Sequence, residues 1–415
     1  MLETPKGLRL HIGLFGLRNA GKSTLNNALT NQRISIVSNV PGTTTDPVEK
    51  ACELAPIGPV VFVDTAGIDD VGDLGAERVR RSLQVLSWMD LAIVAIRSKA
   101  ALTPEETELL SSCQARRLPV VVAVTQCDEE APSEALLATF SSFSFPVVCT
   151  RVDDKSTIDT LRQAVVKLAQ ETTSPDRPLL EGLAHEGDTV MLVTPIDIGA
   201  PKGRLILPQV QAIRELLDAH VKCLVVQCHQ VKDMLENLKT PPKLIITDSQ
   251  VVLEVAKQTP AEIPLTTFSI QMSSSKSDMV AMAEGAAALA TLADGDRVLI
   301  LETCSHHPQK DDIGRVKIPR WLRERTGKDL QIDVAVGKDI PTDFTPYRVL
   351  IQCGGCVVTR RHMLARLAQA QEQGVPMTNY GMAISYLQGL LERVLACHPE
   401  ALAHYRKALE SRQAS

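Results

Sequence analysis

Gly16-Leu17-Arg18-Asn19-Ala20-Gly21-Lys22-Ser23 decides the fold of the first third of the chain. It fits the pattern G-x-x-x-x-G-K-S. The apolar run Leu10 to Phe15 before it reads as a strand, and Ser23 to Thr30 after it reads as a helix. A phosphate-binding loop requires that context of strand, glycine-containing loop and helix. Glycines let successive backbone N–H groups turn inward around a phosphate, and the helix N-terminus adds partial positive charge. Lys22 would neutralise the outer phosphates and Ser23 would hold a magnesium ion. Gly16, Gly21 and Thr24 complete the set expected to bind the nucleotide.

Outward from this loop, short β-rich runs alternate with helical patterns. Val60 to Val63, Leu91 to Ile96, Val120 to Val124 and Pro146 to Val148 read as buried strands, and Ser156 to Gln170 as a closing amphipathic helix. Strands alternating with helices imply a mostly parallel sheet with crossovers. The polar stretch Thr172-Thr173-Ser174-Pro175-Asp176-Arg177-Pro178 reads as a linker. A second alternating block follows, with strands expected at Thr189 to Val193, Cys223 to Gln227, Leu244 to Thr247 and Leu265 to Phe268. A third holds an Ala-rich helix over Met279 to Ala293, strands at Arg297 to Leu301 and Arg348 to Gln352, and a helix over Arg361 to Gln373. The expected fold class is α/β in three domains, 1–172, 173–268 and 269–415. Each has a mostly parallel sheet flanked by helices, and the first has a P-loop fold.

Composition bounds the partners. The chain has 415 residues, 44% hydrophobic and 22% charged, with a formal net charge of −5. Nucleic acid as the main partner is disfavoured, because phosphate contacts call for a basic surface. Stacking platforms are scarce too, with 7 Phe, 4 Tyr and 2 Trp. The longest apolar runs fall far short of the ~20 residues that cross a bilayer, so no membrane partner is expected. The chain opens without a charged segment leading into an apolar one. Ten cysteines are too few for a disulfide scaffold at this length. The expected setting is reducing and cytoplasmic, where spaced cysteines mean metal or redox chemistry more often than bridges.

Three further segments fall where a GTPase needs them. Pro41-Gly42-Thr43-Thr44-Thr45-Asp46 resembles the first switch of the TrmE-Era-like bacterial branch, which includes the tRNA-modification GTPases. By that resemblance Thr44 reaches magnesium when the γ-phosphate is present. In Asp64-Thr65-Ala66-Gly67, Asp64 would act on magnesium through a bound water, and the Gly67 N–H would touch the γ-phosphate. The base-reading box departs from the usual Asn-Lys-x-Asp, appearing as Thr125-Gln126-Cys127-Asp128. Asp128 can still accept both guanine N–H protons. The loop-tying asparagine and the lysine over the base are gone, and each lost hydrogen bond costs about 0.5–1.5 kcal/mol. Guanine preference with weakened binding is expected. Ile68 follows Gly67, where many switch GTPases place a water-orienting glutamine. Asn19 matches the asparagine with which potassium-activated relatives hold a monovalent cation, so slow, potassium-stimulated hydrolysis is expected.

Cys304-Ser305-His306 follows one expected strand and Cys353-Gly354-Gly355-Cys356 another, with 46 residues between His306 and Cys353. If both strands lie in one parallel sheet, both loops emerge at the same carboxyl edge, where binding sites commonly form. Local chemistry leaves zinc, an iron–sulfur cluster and a redox disulfide all open. The other seven cysteines show no matching pattern and read as core or surface residues. The basic run Arg315 to Arg325 reads as a solvated helix face, with docking of an acidic partner as the functional alternative.

Together, these motifs resemble the maturation GTPases of FeFe-hydrogenase, the HydF family. The resemblance extends to Pro195 through Gln209 and to Gly374-Val375-Pro376-Met377-Thr378-Asn379-Tyr380-Gly381, and so spans essentially the whole chain. It implies a GTPase domain, a dimerisation domain and an iron–sulfur domain. It implies a 4Fe-4S cluster on Cys304, Cys353 and Cys356, with one iron left open or weakly held. Members often carry a histidine directly before C-x-x-C, where this chain has Gln352, so a ligand from that position is ruled out. His306 then stands as either fourth ligand or hydrogen-bond partner of the cluster, with His307 and Glu302 as weaker candidates. The implied role is a homodimeric scaffold or carrier for the 2Fe precursor of the hydrogenase active site. It would receive material from radical-SAM maturases and deliver it to apo-FeFe-hydrogenase. Two other classes compete: a zinc-binding GTPase of RNA modification or ribosome assembly, and a scaffold whose GTPase domain has decayed.

Overall fold

The computed structural model describes residues 7, 9–30, 48–68, 85–98, 101–151, 153–172, 177–196, 205–303, 312–337 and 340–414. The chain divides into two compact units, Met1–Pro175 and Asp176–Ser415.

In the first unit six strands form one sheet: β1 (Leu10–Phe15), β2 (Val48–Leu54), β3 (Gly58–Asp64), β4 (Leu91–Arg97), β5 (Val120–Thr125) and β6 (Val147–Cys149). Their order is β2-β3-β1-β4-β5-β6, parallel except for the β2–β3 pair. Helices α1 (Lys22–Thr30), α2 (Pro104–Ala115), α3 (Glu134–Phe143) and α4 (Lys155–Thr172) accompany it. The central strands are apolar without interruption because both faces are covered. In β4, Ala92, Val94 and Ile96 pack with Leu109 and Leu110 of α2. Leu91, Ile93 and Ala95 face the other way, toward Leu25 of α1 and Leu161 and Val165 of α4. No alternation or apolar run in the sequence marks polar β2 as a strand. Its Glu49, Lys50 and Glu53 suit an edge position, where charge deters further pairing. Thr103 starts α2 with a capping box: its backbone N–H donates to Glu106 Oε2 at 2.9 Å, and Glu106 N donates to Thr103 Oγ1 at 3.3 Å.

The second unit holds two four-stranded parallel sheets. One is ordered β10-β9-β7-β8, from β7 (Thr189–Val193), β8 (Lys222–Val226), β9 (Leu244–Thr247) and β10 (Leu265–Thr267). The other is ordered β12-β11-β13-β14, from β11 (Arg297–Glu302), β12 (Gln331–Val336), β13 (Val349–Gln352) and β14 (Met377–Asn379). The helices are α5 (Leu207–Asp218), α6 (Val231–Asn237), α7 (Val252–Gln258), α8 (Phe268–Lys276), α9 (Met279–Ala286), α10 (Ile318–Thr326), α11 (Arg360–Glu372), α12 (Tyr380–Leu387), α13 (Leu391–Leu395) and α14 (Pro399–Gln413). One apolar cluster takes Met191 and Val193 from β7 and Leu299, Leu301 and Leu350 from β11 and β13, so the two sheets share a core.

The expected Ala-rich helix ends earlier than its composition suggests: α9 stops at Ala286, and Ala287–Thr291 continues as a 3₁₀ turn. Here a backbone approach dominates. A Cβ on Gly285 would lie 1.9 Å from the Met377 carbonyl oxygen, so only glycine lets α9 rest on β14. The Gly374-to-Gly381 segment supplies that strand and then caps α12, with Met382 N donating to Asn379 Oδ1 at 2.9 Å.

Candidate functional site

The loop after β1 is shaped by its glycines. Gly16 has φ +144°, and a Cβ there would meet the Ala95 carbonyl oxygen at 2.2 Å. Asn19 also takes a left-handed conformation, with φ 59°. Lys22 is buried at the start of α1, and its Nζ donates to the carbonyls of Gly16 (3.1 Å) and Leu17 (2.8 Å). The ammonium is therefore drawn into the mouth of the loop. Ser23 and Thr24 are exposed on the first turn of α1.

The register Leu14↔Asp64 sets the end of β3 beside the end of β1. There Ser23 Oγ donates to Asp64 Oδ2 at 2.8 Å, while Asp64 Oδ1 is buried without a hydrogen-bond partner. Burial pushes the Asp64 carboxyl up from its ordinary range, opposed by the Ser23 hydroxyl and the charges of Lys22 and Lys50. A desolvated carboxylate with an unused oxygen beside a serine hydroxyl fits a divalent cation. Thr65 Oγ1 donates to the Leu14 carbonyl at 2.6 Å and Ile68 N to that of Gly16 at 3.4 Å, which holds buried Gly67 against the loop. Thr44 lies outside the described residues.

In the base-reading segment, Thr125 ends β5, and its hydroxyl donates to the Ala20 carbonyl at 3.0 Å. The tie between loops that the missing asparagine would make therefore persists in a shorter form. A hydroxyl at that position was the available signal, and the sequence reading passed over it. Cys127 Sγ donates to the Val124 carbonyl at 3.3 Å, and Thr150 N reaches the same oxygen at 2.7 Å. The segment around Cys149-Thr150 is thereby joined to the turn that exposes Asp128.

In the second unit, β11 and β13 are parallel neighbours with Leu301 opposite Gln352, so the loops that follow them leave the same edge. Cys353 N extends the ladder to the Leu301 carbonyl at 2.9 Å. Its Sγ receives the Thr303 backbone N–H at 3.2 Å and lies 3.0 Å from Thr303 Oγ1. Cys356 is raised by burial and by Cys353, with Lys276 opposing. Lys276, on α8, is buried and donates from Nζ to the carbonyls of Gly355 (3.2 Å) and Val358 (2.6 Å), bracing the C-x-x-C turn from below. Glu302 is buried at the end of β11 and engages Arg315 Nε (3.3 Å) and the Tyr380 hydroxyl (3.4 Å).

Cys304, His306 and His307 lie outside the described residues. Among the described residues no group of three or more His, Cys, Asp and Glu is placed to hold a metal. The donor set around Cys353 nevertheless fits a thiolate-bound group, since N–H donors aimed at sulfur and a nearby buried cation favour negative charge there.

Sequence reasoning missed Lys276 and Arg366. The second had a signal: Arg366 interrupts the apolar face that Met363, Leu367 and Ala370 form on α11. Three residues of the basic run make contacts within the unit. Arg315 pairs with Glu302, Arg320 with Glu324, and Lys317 Nζ donates to Gln250 Oε1 at 2.6 Å.

The loop, its capping lysine and the serine–aspartate pair define the first unit as a P-loop GTPase domain. Residues 11–126 match the family model described as 50S ribosome-binding GTPase. Residues 179–277 and 280–397 match the hydrogen maturase F dimerization domain and tetramerization domain. The chain belongs to the hydrogen maturase F family, on the TrmE-Era-like branch of GTPases. Among curated relatives, it is 32% identical over 196 residues to the tRNA modification GTPase MnmE of Bacillus mycoides, covering 45% of this chain and 42% of that protein. The chain thus spans less than half the length of the curated relatives it matches. Among solved structures, it is similar to the G domain of the T. maritima FeoB iron transporter, with 24% identity and a TM-score of 0.32 over 39% of this chain and 99% of that one. It is also similar to Aquifex aeolicus Era, with 18% identity and a TM-score of 0.32 over 52% and 92%. Among the described residues no helix is long and apolar enough to cross a membrane.

Proposed function

We propose that this chain is a cytoplasmic, GTP-hydrolysing scaffold that carries a 4Fe-4S cluster and holds the 2Fe precursor of the FeFe-hydrogenase active site before delivery. Its partners are radical-SAM maturases and apo-FeFe-hydrogenase. Residues 1–172 act as the GTPase, 173–268 as the homodimerisation region and 269–415 as the cluster region. The observation that carries the cluster reading is the contact of Thr303 N with Cys353 Sγ at 3.2 Å, because Thr303 directly precedes Cys304. The segment that Cys304 begins therefore starts from a residue in contact with the Cys353 sulfur, which supports the reading that the three cysteines share one cluster.

In the first unit, the N–H groups of the loop from Gly16 to Ser23, with Lys22, bind and orient the GTP phosphates. Thr24 extends that cradle, and Asp128 accepts the guanine N–H protons. Ser23, Thr44 and, through a bound water, Asp64 would hold magnesium, which when bound would supply charge neutralisation at the β- and γ-phosphates. Gly67 offers its N–H to the γ-phosphate. Asn19 holds potassium where an arginine finger would otherwise act, and buried Ile68 excludes bulk water. In the second unit, Cys304, Cys353 and Cys356 would ligate the cluster, which would supply an iron site for attachment of the precursor. His306 serves as fourth ligand or as a hydrogen-bond donor to it.

The test is delivery. Protein reconstituted with iron and sulfide, then incubated with the maturases, is expected to make apo-hydrogenase evolve hydrogen. Hydrogenase left inactive by the fully loaded protein contradicts the scaffold role. Hydrolysis is expected to run severalfold faster in potassium than in sodium, and equal rates contradict the role given to Asn19.

A further inference from the structure

Arg366 is a buried cation, 6% exposed, on α11. Its Nη1 donates to Gln352 Oε1 at 2.9 Å and its Nη2 to the Gly337 carbonyl at 3.3 Å. Both acceptors are neutral, and a guanidinium buried among neutral groups is costly unless an anion lies near. Burial pulls its pKa down to about 10, and the one opposing influence is the Cys353 sulfur.

A guanidinium can only donate, so the oxygen of the Gln352 amide must face Arg366 and its NH₂ must face away. That NH₂ lies 3.2 Å from the Leu301 carbonyl, 3.3 Å from the Cys353 carbonyl and 3.4 Å from Cys353 Sγ, so its two protons are shared among two carbonyls and the sulfur. Gln352 is fully buried, so the amide has no solvent alternative. With the backbone N–H and hydroxyl of Thr303, three donor-capable groups surround this one sulfur. A neutral thiol has little use for so many donors, whereas a thiolate ligand carrying negative charge does.

We propose that Arg366 and Gln352 are positioning residues. Arg366 locks the amide and the amide holds charge on the Cys353 sulfur, which together set the reduction potential of the group bound there. This inference rests on the cluster reading above. Reduction adds one electron from a low-potential donor such as dithionite, with no bond or proton changing hands. The reduced form is the more negative, so the Arg366–Gln352 pair favours it and raises the potential.

The experiment uses full-length protein, reconstituted anaerobically with iron and sulfide and titrated potentiometrically by EPR. At the wild-type midpoint, Gln352→Leu is expected to lower the reduced-to-oxidised ratio about tenfold, a midpoint about 59 mV more negative for a one-electron couple. Arg366→Met is expected to lower it in the same direction, and Arg366→Lys to recover part of the loss. Gln352→Leu removes the amide while keeping a side chain of comparable bulk, and carries the test if Arg366→Met does not fold. A cluster present in Gln352→Leu with an unmoved midpoint overturns this inference and leaves the cluster reading standing. Wild-type protein that takes up zinc but no iron–sulfur cluster overturns both.

Discussion

The loop from Gly16 to Ser23 gathers its donors from consecutive residues. The surroundings of Cys353 draw instead on Thr303 after β11, Gln352 at the end of β13, Arg366 on α11 and, beneath the turn, Lys276 on α8. In the first region the backbone does the binding, and the sequence needs only glycines to shape it and a lysine to charge it. In the second, side chains from separate elements converge, and their placement depends on sheet order and on how helices pack. One chain therefore holds an anion-binding site written locally and a thiol site written through tertiary structure. The two should fail independently.

The sharpest separation is expected from Lys22→Ala. Removing the ammonium should cut GTP hydrolysis by about 100-fold or more, as loss of a preorganised charge typically does. Bound iron should be unchanged. Hydrolysis within a few-fold of wild type would break the reading of the loop. The reciprocal change, Cys353→Ala, should strip most of the bound iron and abolish the EPR signal, with hydrolysis altered no more than about twofold on the independence expected of separate sites. A joint loss of both functions would break the comparison.

A finer test concerns the base-reading segment. Thr125→Val keeps the shape and removes the hydroxyl that donates to Ala20. Loss of one such bond, about 0.5–1.5 kcal/mol, should weaken GTP binding by roughly 2- to 13-fold, read by titration calorimetry. Unchanged affinity would mean that the tie to the phosphate loop does not support the nucleotide.

The same contrast explains what could be read in advance. Strand-and-helix alternation is a local signal, so Leu10–Phe15, Thr189–Val193 and Leu244–Thr247 were legible residue for residue. Edge strand β2 was not, because its charged residues obey pairing with β3 rather than burial. Strands β12 and β14 were missed for related reasons. One has a half-buried outer face, and the other is three residues long. Of the candidate sites, the phosphate loop could be assigned from its own residues. The juxtaposition of Thr303 and Cys353 needed the knowledge that β11 and β13 are neighbours. At Thr125 the missing asparagine signals a loss in the sequence, whereas its hydroxyl keeps a hydrogen bond to the Ala20 carbonyl in the structure.

The smallest expected effect separates the units by pH. Burial pulls His398 below its ordinary pKa, and its ring nitrogen lies 2.9 Å from Gln271 Nε2. Folded protein therefore binds its proton less readily than unfolded chain. Above the ordinary value of 6.5 the histidine costs nothing, and stability is lost as pH falls below it toward the depressed folded pKa. The slope cannot exceed about 1.4 kcal/mol per pH unit for one group. Thermal unfolding between pH 7.5 and 5.5 should show the second unit weakening, and His398→Gln should flatten that part of the profile. A slope unchanged by the substitution would assign the effect elsewhere.

The most direct measurement is anaerobic reconstitution of wild type and Cys304→Ala, read by iron analysis and EPR. Wild type is expected to hold about four irons per chain and, once reduced, to give the signal of a 4Fe-4S cluster. Cys304→Ala should lose most of both. Full iron and an unaltered signal in Cys304→Ala, or a wild type that binds zinc alone, would contradict a cluster shared between the loops that follow β11 and β13.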